Sequence, residues 1–220
     1  MTTLIIIAKE CIPGRVKTRL HPPFSYEQAA TLALAALSDT FVAASALKAS
    51  RRILLFDGNH LPLGSEPYDV IPQVSGELDM RLAAIFDEVS GPTVLIGMDT
   101  PQLDATVLAP LFEVSAFAEN DAWLGFANDG GYWTIAMKEP DGSLIRGVPM
   151  SREDTGARQL ERLTSAGLRV GLLPELVDVD TIDDARLVAG IAPDSNFARV
   201  FVSFDIASSD GASLEAQVSK

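Results

Sequence analysis

The chain has one cysteine in 220 residues, Cys11, and only two histidines. A single thiol closes no intramolecular disulfide, and without CxxC or HExxH spacing there is no thiolate or imidazole set for zinc. A reducing compartment is expected. Basic residues are also scarce, with 17 Lys and Arg against 30 Asp and Glu and a formal charge of −13. That balance repels polyanions over most of the surface, so nucleic acid is excluded as a general partner and any bound anion needs a local basic site. Long apolar runs are missing as well. The start, MTTLIIIAKE, is too short for a signal-peptide core and lacks a basic lead, and no later stretch reaches the length of a membrane span. The chain therefore reads as cytoplasmic, without membrane insertion. The phosphate-binding spacings GxxxxGK and GxGxxG are absent, which excludes an ordinary P-loop kinase or dinucleotide fold.

What remains is ordinary globular material, 47% apolar and 21% charged, enough for a sizeable core. Short apolar, β-branched runs alternate with helical periods. Strands are expected over residues 4–8, 52–56, 68–72, 93–97, 123–127, 133–137 and 169–173, and helices over 26–45, 78–89, 105–117, 152–166 and 182–189. This alternation argues for an α/β layer structure with a largely parallel sheet. The runs at 4–8 and 93–96 are apolar throughout, as central strands covered on both faces must be. In the first helix, Tyr26, Ala30, Leu34, Leu37 and Phe41 recur every three or four residues, and Ser25 with Gln28 forms a capping box. Gly167 and Gly190 suit left-handed helix ends. Residues 1–193 read as one domain. Residues 194–220, which contain FARVFVSFD from residue 197, read as an extension made of an added edge strand and a loose tail.

Four segments could carry chemistry. Directly after the first strand, AKECIPGRVKTRL holds Lys9, Arg15, Lys17 and Arg19 against one acid, Glu10. Pro13-Gly14 turns the chain, Gly14 lets backbone N–H groups approach a ligand, and the cations suit phosphate. A solvated basic loop is the plain alternative. Next, TVLIGMDTPQLD runs a buried strand into Asp99, which should emerge at the same sheet edge. A carboxylate beside phosphate-binding cations makes sense with a divalent ion between them, whereas Asp104 suits helix capping. In PELVDVDTIDDARL, Thr181, Asp183 and Asp184 fit a helix start. Asp178 and Asp180 lie on one side of an extended segment and read either as paired metal ligands or as a solvated face. Finally, FANDGGYWTIAM is a hairpin signal whose Asp129, Gly130, Gly131 and Tyr132 could also seat a small polar acceptor. Arg81 reads more readily as a snorkelling helix residue than as a ligand contact. Cys11 gets no catalytic role, and His21 and His60 read as loop residues.

Taken in order, PGRVKTRL, GMDTPQLD, NDGGYW and DVDT resemble the bacterial nucleotide-diphospho-sugar transferase-like proteins of GT-A fold, often labelled glycosyltransferases. These are related to 2-phospholactate guanylyltransferase and more distantly to molybdenum-cofactor guanylyltransferase. The resemblance covers residues 3–190. It implies a three-layer, Rossmann-like GT-A fold with a mostly parallel mixed sheet. It further implies that Gly14, Arg15 and Lys17 hold nucleotide phosphates, with Lys9 and Arg19 in the same basic loop. Asp99 would take the acid that coordinates Mg2+ or Mn2+, Asp180 a second metal-binding acid, and Asp129 to Gly131 the acceptor side. Two departures stand out: Cys11-Ile12 where small or proline-rich residues are usual, and Asp79 where glycine is common.

Three functions follow as alternatives. One is nucleotidyl transfer from an NTP to a small phosphorylated or carboxylated acceptor with release of pyrophosphate. In it Arg15, Lys17 and Asp99 act at the reacting phosphates, where catalysis is mostly positioning and electrostatics. The second is glycosyl transfer from a nucleotide-diphospho-sugar, with Asp129 as acceptor base. The third is a non-catalytic nucleotide-binding module. Base, acceptor and oligomeric state leave no mark in the sequence.

Overall fold

The protein is described from a computed structural model, over residues 1–204. Seven strands form one sheet: β1 (Thr3–Lys9), β2 (Arg51–Asp57), β3 (Asp69–Pro72), β4 (Thr93–Ile96), β5 (Ala122–Ala127), β6 (Tyr132–Met137) and β7 (Val170–Leu176). Their order across the sheet is β3-β2-β1-β4-β6-β5-β7. Every pairing is parallel except those of β6 with β4 and β5. The mixed, mostly parallel sheet thus has the expected α/β architecture. The all-apolar runs are central: Leu4, Ile5, Ile6, Val94 and Ile96 have no exposed surface, and each such side chain contributes about 1.5–3 kcal/mol by leaving water.

Helices α1 (Tyr26–Ser45), α2 (Leu78–Glu88), α3 (Ala105–Leu108) and α4 (Thr155–Ser165) connect strands, and α5 (Ile182–Ile191) follows β7. One face of the sheet buries Leu4, Ile6, Leu54, Val94 and Ile96 against Leu37 and Phe41 of α1 and Leu108 of α3. The other buries Ile5, Ile53, Leu55 and Leu95 with Leu82 and Phe86 of α2 and Leu163 of α4. The capping box of α1 is present, with the Ser25 hydroxyl accepting from Gln28 N–H and the Gln28 side chain accepting from Ser25 N–H.

Three expectations need correction. The helix expected over 105–117 is only the four-residue α3 followed by a 3₁₀ turn, Ala109–Phe112; Pro110 lacks the N–H that an α-helix would need there. Gly190 is inside α5 and has no left-handed conformation, while Gly167 does end α4 at φ 85°. FARVFVSF, the described part of the run FARVFVSFD, is not an edge strand. Residues 196–204 are a helix, whose buried Phe197 and Phe201 join Phe24, Leu32, Ala36, Val179 and Val188 in a third cluster. Phe201 packs edge-on against Phe24 at 5.6 Å. Phe197, Phe201 and Phe204 share one helical face, and Asp39 caps the turn by accepting from the N–H groups of Asn196 and Phe197, both at 2.8 Å. This third cluster also explains why the buried surface of α1 is wider than a single stripe. Ala29, Leu32, Ala35 and Ala36 face α5 and the final helix, while Tyr26 and Leu34 of the expected stripe are exposed. The loose tail expected at the end of the chain lies outside the described residues.

Chain direction decides where the loops go. β1 sits between β2 and β4, parallel to both, and the chain builds outward to one side of it and then to the other. Ligands of open α/β sheets bind in the crevice at such a reversal, outside the carboxyl ends of the strands. Because β6 runs antiparallel, its amino end, Tyr132, reaches the same rim as the carboxyl ends of β1, β4, β5 and β7.

Candidate active site

A cleft of about 760 Å³ opens at that rim. β1 delivers Lys9 and its following loop Arg19; the turn after β4 delivers Gly97, Met98, Asp99 and Thr100. The β5–β6 hairpin delivers Asp129, Gly131 and Tyr132, and the segment after β7 delivers Asp178 and Asp180. Main-chain bonds hold these pieces in register. Val179 N–H donates to the Asp99 carbonyl at 3.0 Å, and Lys9 N–H to Met98 Sδ at 3.4 Å. Asn128 accepts from Asp178 N–H at 2.8 Å and donates its amide to Asp184 at 3.2 Å, tying the hairpin to the acidic segment.

At the centre lies Lys17. Its side chain is 7% exposed, and its ammonium is 2.7 Å from Asp99 Oδ1, 3.2 Å from Asp180 Oδ1 and 3.9 Å from Asp178 Oδ1. Arg19 Nη1 donates to the other Asp180 oxygen at 2.9 Å. Burial alone would lower the Lys17 pKa, but the charges of Asp99, Asp178 and Asp180 outweigh it and hold the ammonium charged. Burial, then the Asp99 charge, push Asp178 well above the usual carboxylate range, against the pull of Lys17. The backbone of Lys17 is left-handed, φ 47° and ψ 38°, a conformation costing about 1–2 kcal/mol for a residue with a Cβ.

Two oxygens here are buried without a hydrogen-bond partner among the described residues, Asp178 Oδ1 and Thr100 Oγ1. Hard oxygen donors left open in this way suit Mg2+ or Mn2+ in chemical type. As they stand, however, no group of three or more such side chains among the described residues is arranged to hold an ion; the Lys17 ammonium stands among the three carboxylates.

The remaining expected residues divide. Asp99, Asp180, Lys9, Arg19, Asp129, Gly131 and Tyr132 line the cleft, and Lys17 lies beneath it. Gly130 joins the hairpin backbone to the segment before α4: its carbonyl accepts from Gly156 N–H at 2.8 Å, and a Cβ there would overlap the Glu153 carbonyl. Gly14 and Arg15 are not brought in. They sit at an exposed turn outside the lining, Gly14 at φ 75° with open space around it, so this glycine serves the turn and not a close approach. Burial pushes the Tyr132 hydroxyl pKa up, and that of the Cys11 thiol to about 11, where the Asp99 charge adds to burial.

The structure brings in Arg81, which was expected to snorkel and not to face a ligand, and adds Ser151 and Arg152, which sequence reasoning missed. Arg81 lines the cleft with its guanidinium fixed by the Gly76 carbonyl at 2.7 Å and by Asp57 and Gln73, each at 3.1 Å. Its position early in a helix that follows a strand's carboxyl end was the available signal. Arg152 and Ser151 line the cleft too, and Ser151 is left-handed at φ 56°. Nothing in SREDTG announces that backbone. The lining therefore mixes four cations, Lys9, Arg19, Arg81 and Arg152, with five acids, Asp99, Asp129, Glu153, Asp178 and Asp180. Such a surface can bind anionic groups and, through its carboxylates, a cation between them.

A family model described as an uncharacterized protein conserved in bacteria (DUF2064) matches residues 30–152. No curated protein matches the chain. Among solved structures, a Desulfovibrio desulfuricans protein provisionally named a nucleotide-diphospho-sugar transferase is similar at 22% identity. The match covers 93% of this chain and 95% of that one, with a TM-score of 0.81. The inositol-1-phosphate CTP transferase of T. maritima is similar at 13% identity over 88% and 97% of the two chains, TM-score 0.53. A Mycobacterium tuberculosis protein in complex with manganese is similar at 20% identity over 85% and 96%, TM-score 0.50. These likenesses establish the nucleotide-diphospho-sugar transferase fold.

Proposed function

The chain belongs to the DUF2064 family of bacterial proteins, and from that membership and the cleft above we propose that it is a metal-dependent nucleotidyltransferase. The donor is a nucleoside triphosphate and the acceptor a small phosphorylated or carboxylated molecule. The observation that carries this reading is the meeting of Lys17 with Asp99, Asp178 and Asp180 on the floor of a cleft walled by further cations. A triphosphate concentrates negative charge, and Lys9, Arg19 and Arg81 supply charge-assisted donors for it. An acceptor oxygen attacks the α-phosphorus, the bond from that phosphorus to the bridging oxygen breaks, and pyrophosphate leaves. An ionised phosphate or carboxylate oxygen carries no proton to remove, so the step needs no general base. Cations positioned at the leaving group stabilise its charge, the main source of catalysis in phosphoryl chemistry. Asp99, Asp178 and Asp180 would hold Mg2+ or Mn2+, which when bound polarises phosphate oxygens and offsets their charge. Asp129, Gly131, Tyr132 and Arg152 form the acceptor end, where Arg152 matches an anionic acceptor.

One observation favours a second reading, glycosyl transfer from a nucleotide-diphospho-sugar: the D. desulfuricans structure, at a TM-score of 0.81, bears that provisional name. Products separate the two. The protein is incubated with each NTP or nucleotide-sugar, Mg2+ or Mn2+, and a pool of small phosphorylated and carboxylated acceptors. Pyrophosphate release supports nucleotidyl transfer, nucleoside diphosphate release supports glycosyl transfer, and neither product would refute both.

A further inference from the structure

Lys17 stands in an unusual place for a phosphate ligand. It lies outside the lining of the cleft, its side chain is 93% shielded, and its ammonium is turned inward onto three carboxylates that come from two different strand ends. Each of those carboxylates has an oxygen within 3.9 Å of the ammonium. Asp99 Oδ1 and Asp180 Oδ1 touch the ammonium within 3.2 Å, and Asp180 Oδ2 is taken by Arg19. Asp178 Oδ1, 3.9 Å away, is buried without a hydrogen bond among the described residues. The left-handed backbone of Lys17 and the 3₁₀ turn that follows it, Thr18–Leu20, place the side chain there.

We propose that Lys17 is a resident counter-ion that closes the carboxylate cluster to free divalent metal, so that metal enters only together with a polyphosphate, which gives the ammonium a replacement partner. The inference rests on the transferase reading of the cleft and adds to it an order of binding. The physical reason is charge balance. The acids on this floor attract any cation; the ammonium already neutralises Asp99 and Asp180 at contact distance, so an arriving ion meets both repulsion from Lys17 and oxygens that it already holds. Moving a shielded ammonium away with no anion to receive it is unfavourable. A polyphosphate removes that obstacle because its oxygens accept the same hydrogen bonds. The turn at Gly14 and Arg15 is exposed, whereas Val16, directly before Lys17, is buried against Ala30 and Ala33 of α1, so the exchange of partners is a movement of the long Lys17 side chain and not of its backbone.

The test uses Mn2+ alone as the first probe, with the free ion counted by electron paramagnetic resonance. Wild type is compared with Lys17→Met, Asp99→Asn and the double variant. The expected result is that Lys17→Met holds Mn2+ at least about tenfold more tightly than wild type, and that adding Asp99→Asn removes the gain. Wild type binding Mn2+ alone as tightly as Lys17→Met overturns the proposal. Should Lys17→Met fail to fold, wild type decides. Mn2+ and sodium tripolyphosphate together must raise its melting midpoint by more than the two separate shifts combined, and saturable Mn2+ binding without tripolyphosphate that Asp99→Asn abolishes overturns the proposal. Absence of turnover with every nucleotide donor would sink the transferase reading while leaving the Mn2+ comparison intact, so the two failures are distinguishable.

Discussion

Gly130→Ala and Gly14→Ala form a matched pair that tests how the acceptor end of the cleft is built. Both glycines are left-handed, at φ 87° and 75°, so each alanine incurs a similar backbone strain of about 1–2 kcal/mol, partly offset by about 0.4–1 kcal/mol from a stiffer unfolded chain. Their surroundings differ. Nothing lies within 4 Å of a Cβ at Gly14, so that variant should lose only about 0.5–1 kcal/mol. At Gly130 the methyl meets the main chain of Glu153, which cannot rotate away, and the bond from Gly156 N–H to the Gly130 carbonyl must break. Adding a lost buried hydrogen bond and the displacement of a packed segment brings the expected loss to about 3–4 kcal/mol. Urea unfolding followed by circular dichroism reads the difference. At unchanged slope, the midpoint should fall by about 1 M or more for Gly130→Ala and by about 0.3 M for Gly14→Ala. Equal losses would refute the reasoning, because they would mean that the hairpin carrying Asp129 does not rest on the segment before α4.

Three further outcomes are expected. Asp99→Asn should lower metal-dependent turnover by about 10²–10³-fold, and stability by only about 1–2 kcal/mol because Asp178 and Asp180 still neutralise Lys17; retention of full rate in a donor assay removes Asp99 from the mechanism. Phe201→Ala should cost about 3–5 kcal/mol, seen as a lowered denaturation midpoint, because Phe201 is 5% exposed within the cluster shared by α1, α5 and the final helix. A loss under about 1 kcal/mol would contradict helix packing there. Cys11 should alkylate with iodoacetamide roughly 10- to 100-fold more slowly than free cysteine at pH 8, since burial and the Asp99 charge raise its thiol pKa to about 11. The reactive thiolate forms only as pH rises toward that value, so the rate should climb with pH up to about 11, and a rate equal to free cysteine at pH 8 would contradict this environment.

The sheet was legible in the sequence because strands buried on both faces must be apolar throughout, and LIIIA and TVLI announce themselves that way. From their parallel arrangement it followed that Asp99 and the basic loop share a rim. What the sequence concealed was local geometry. The left-handed backbone that turns Lys17 inward has no signature in KTR, and so the lysine read as a free phosphate cation when it is bonded to Asp99 and Asp180. The ends of FARVFVSFD alternate enough to suggest a strand, yet Phe197, Phe201 and Phe204 also fit a helical face. The arbiter was a distant partner, the α1 surface with Asp39, that no local window contains. Arg81 and Arg152 were hidden for the same reason: an arginine on a helix or in a loop becomes a site residue only through what stands opposite it.

The central claim, that this cleft receives a nucleoside polyphosphate together with a divalent ion, is tested most directly by calorimetric titration of the four nucleoside triphosphates into the protein with and without Mg2+. Saturable heat from at least one triphosphate, strengthened about tenfold or more by Mg2+ and removed by Asp99→Asn, is the predicted result. No binding of any nucleoside triphosphate in the presence of Mg2+, or binding that Asp99→Asn leaves unchanged, would contradict it.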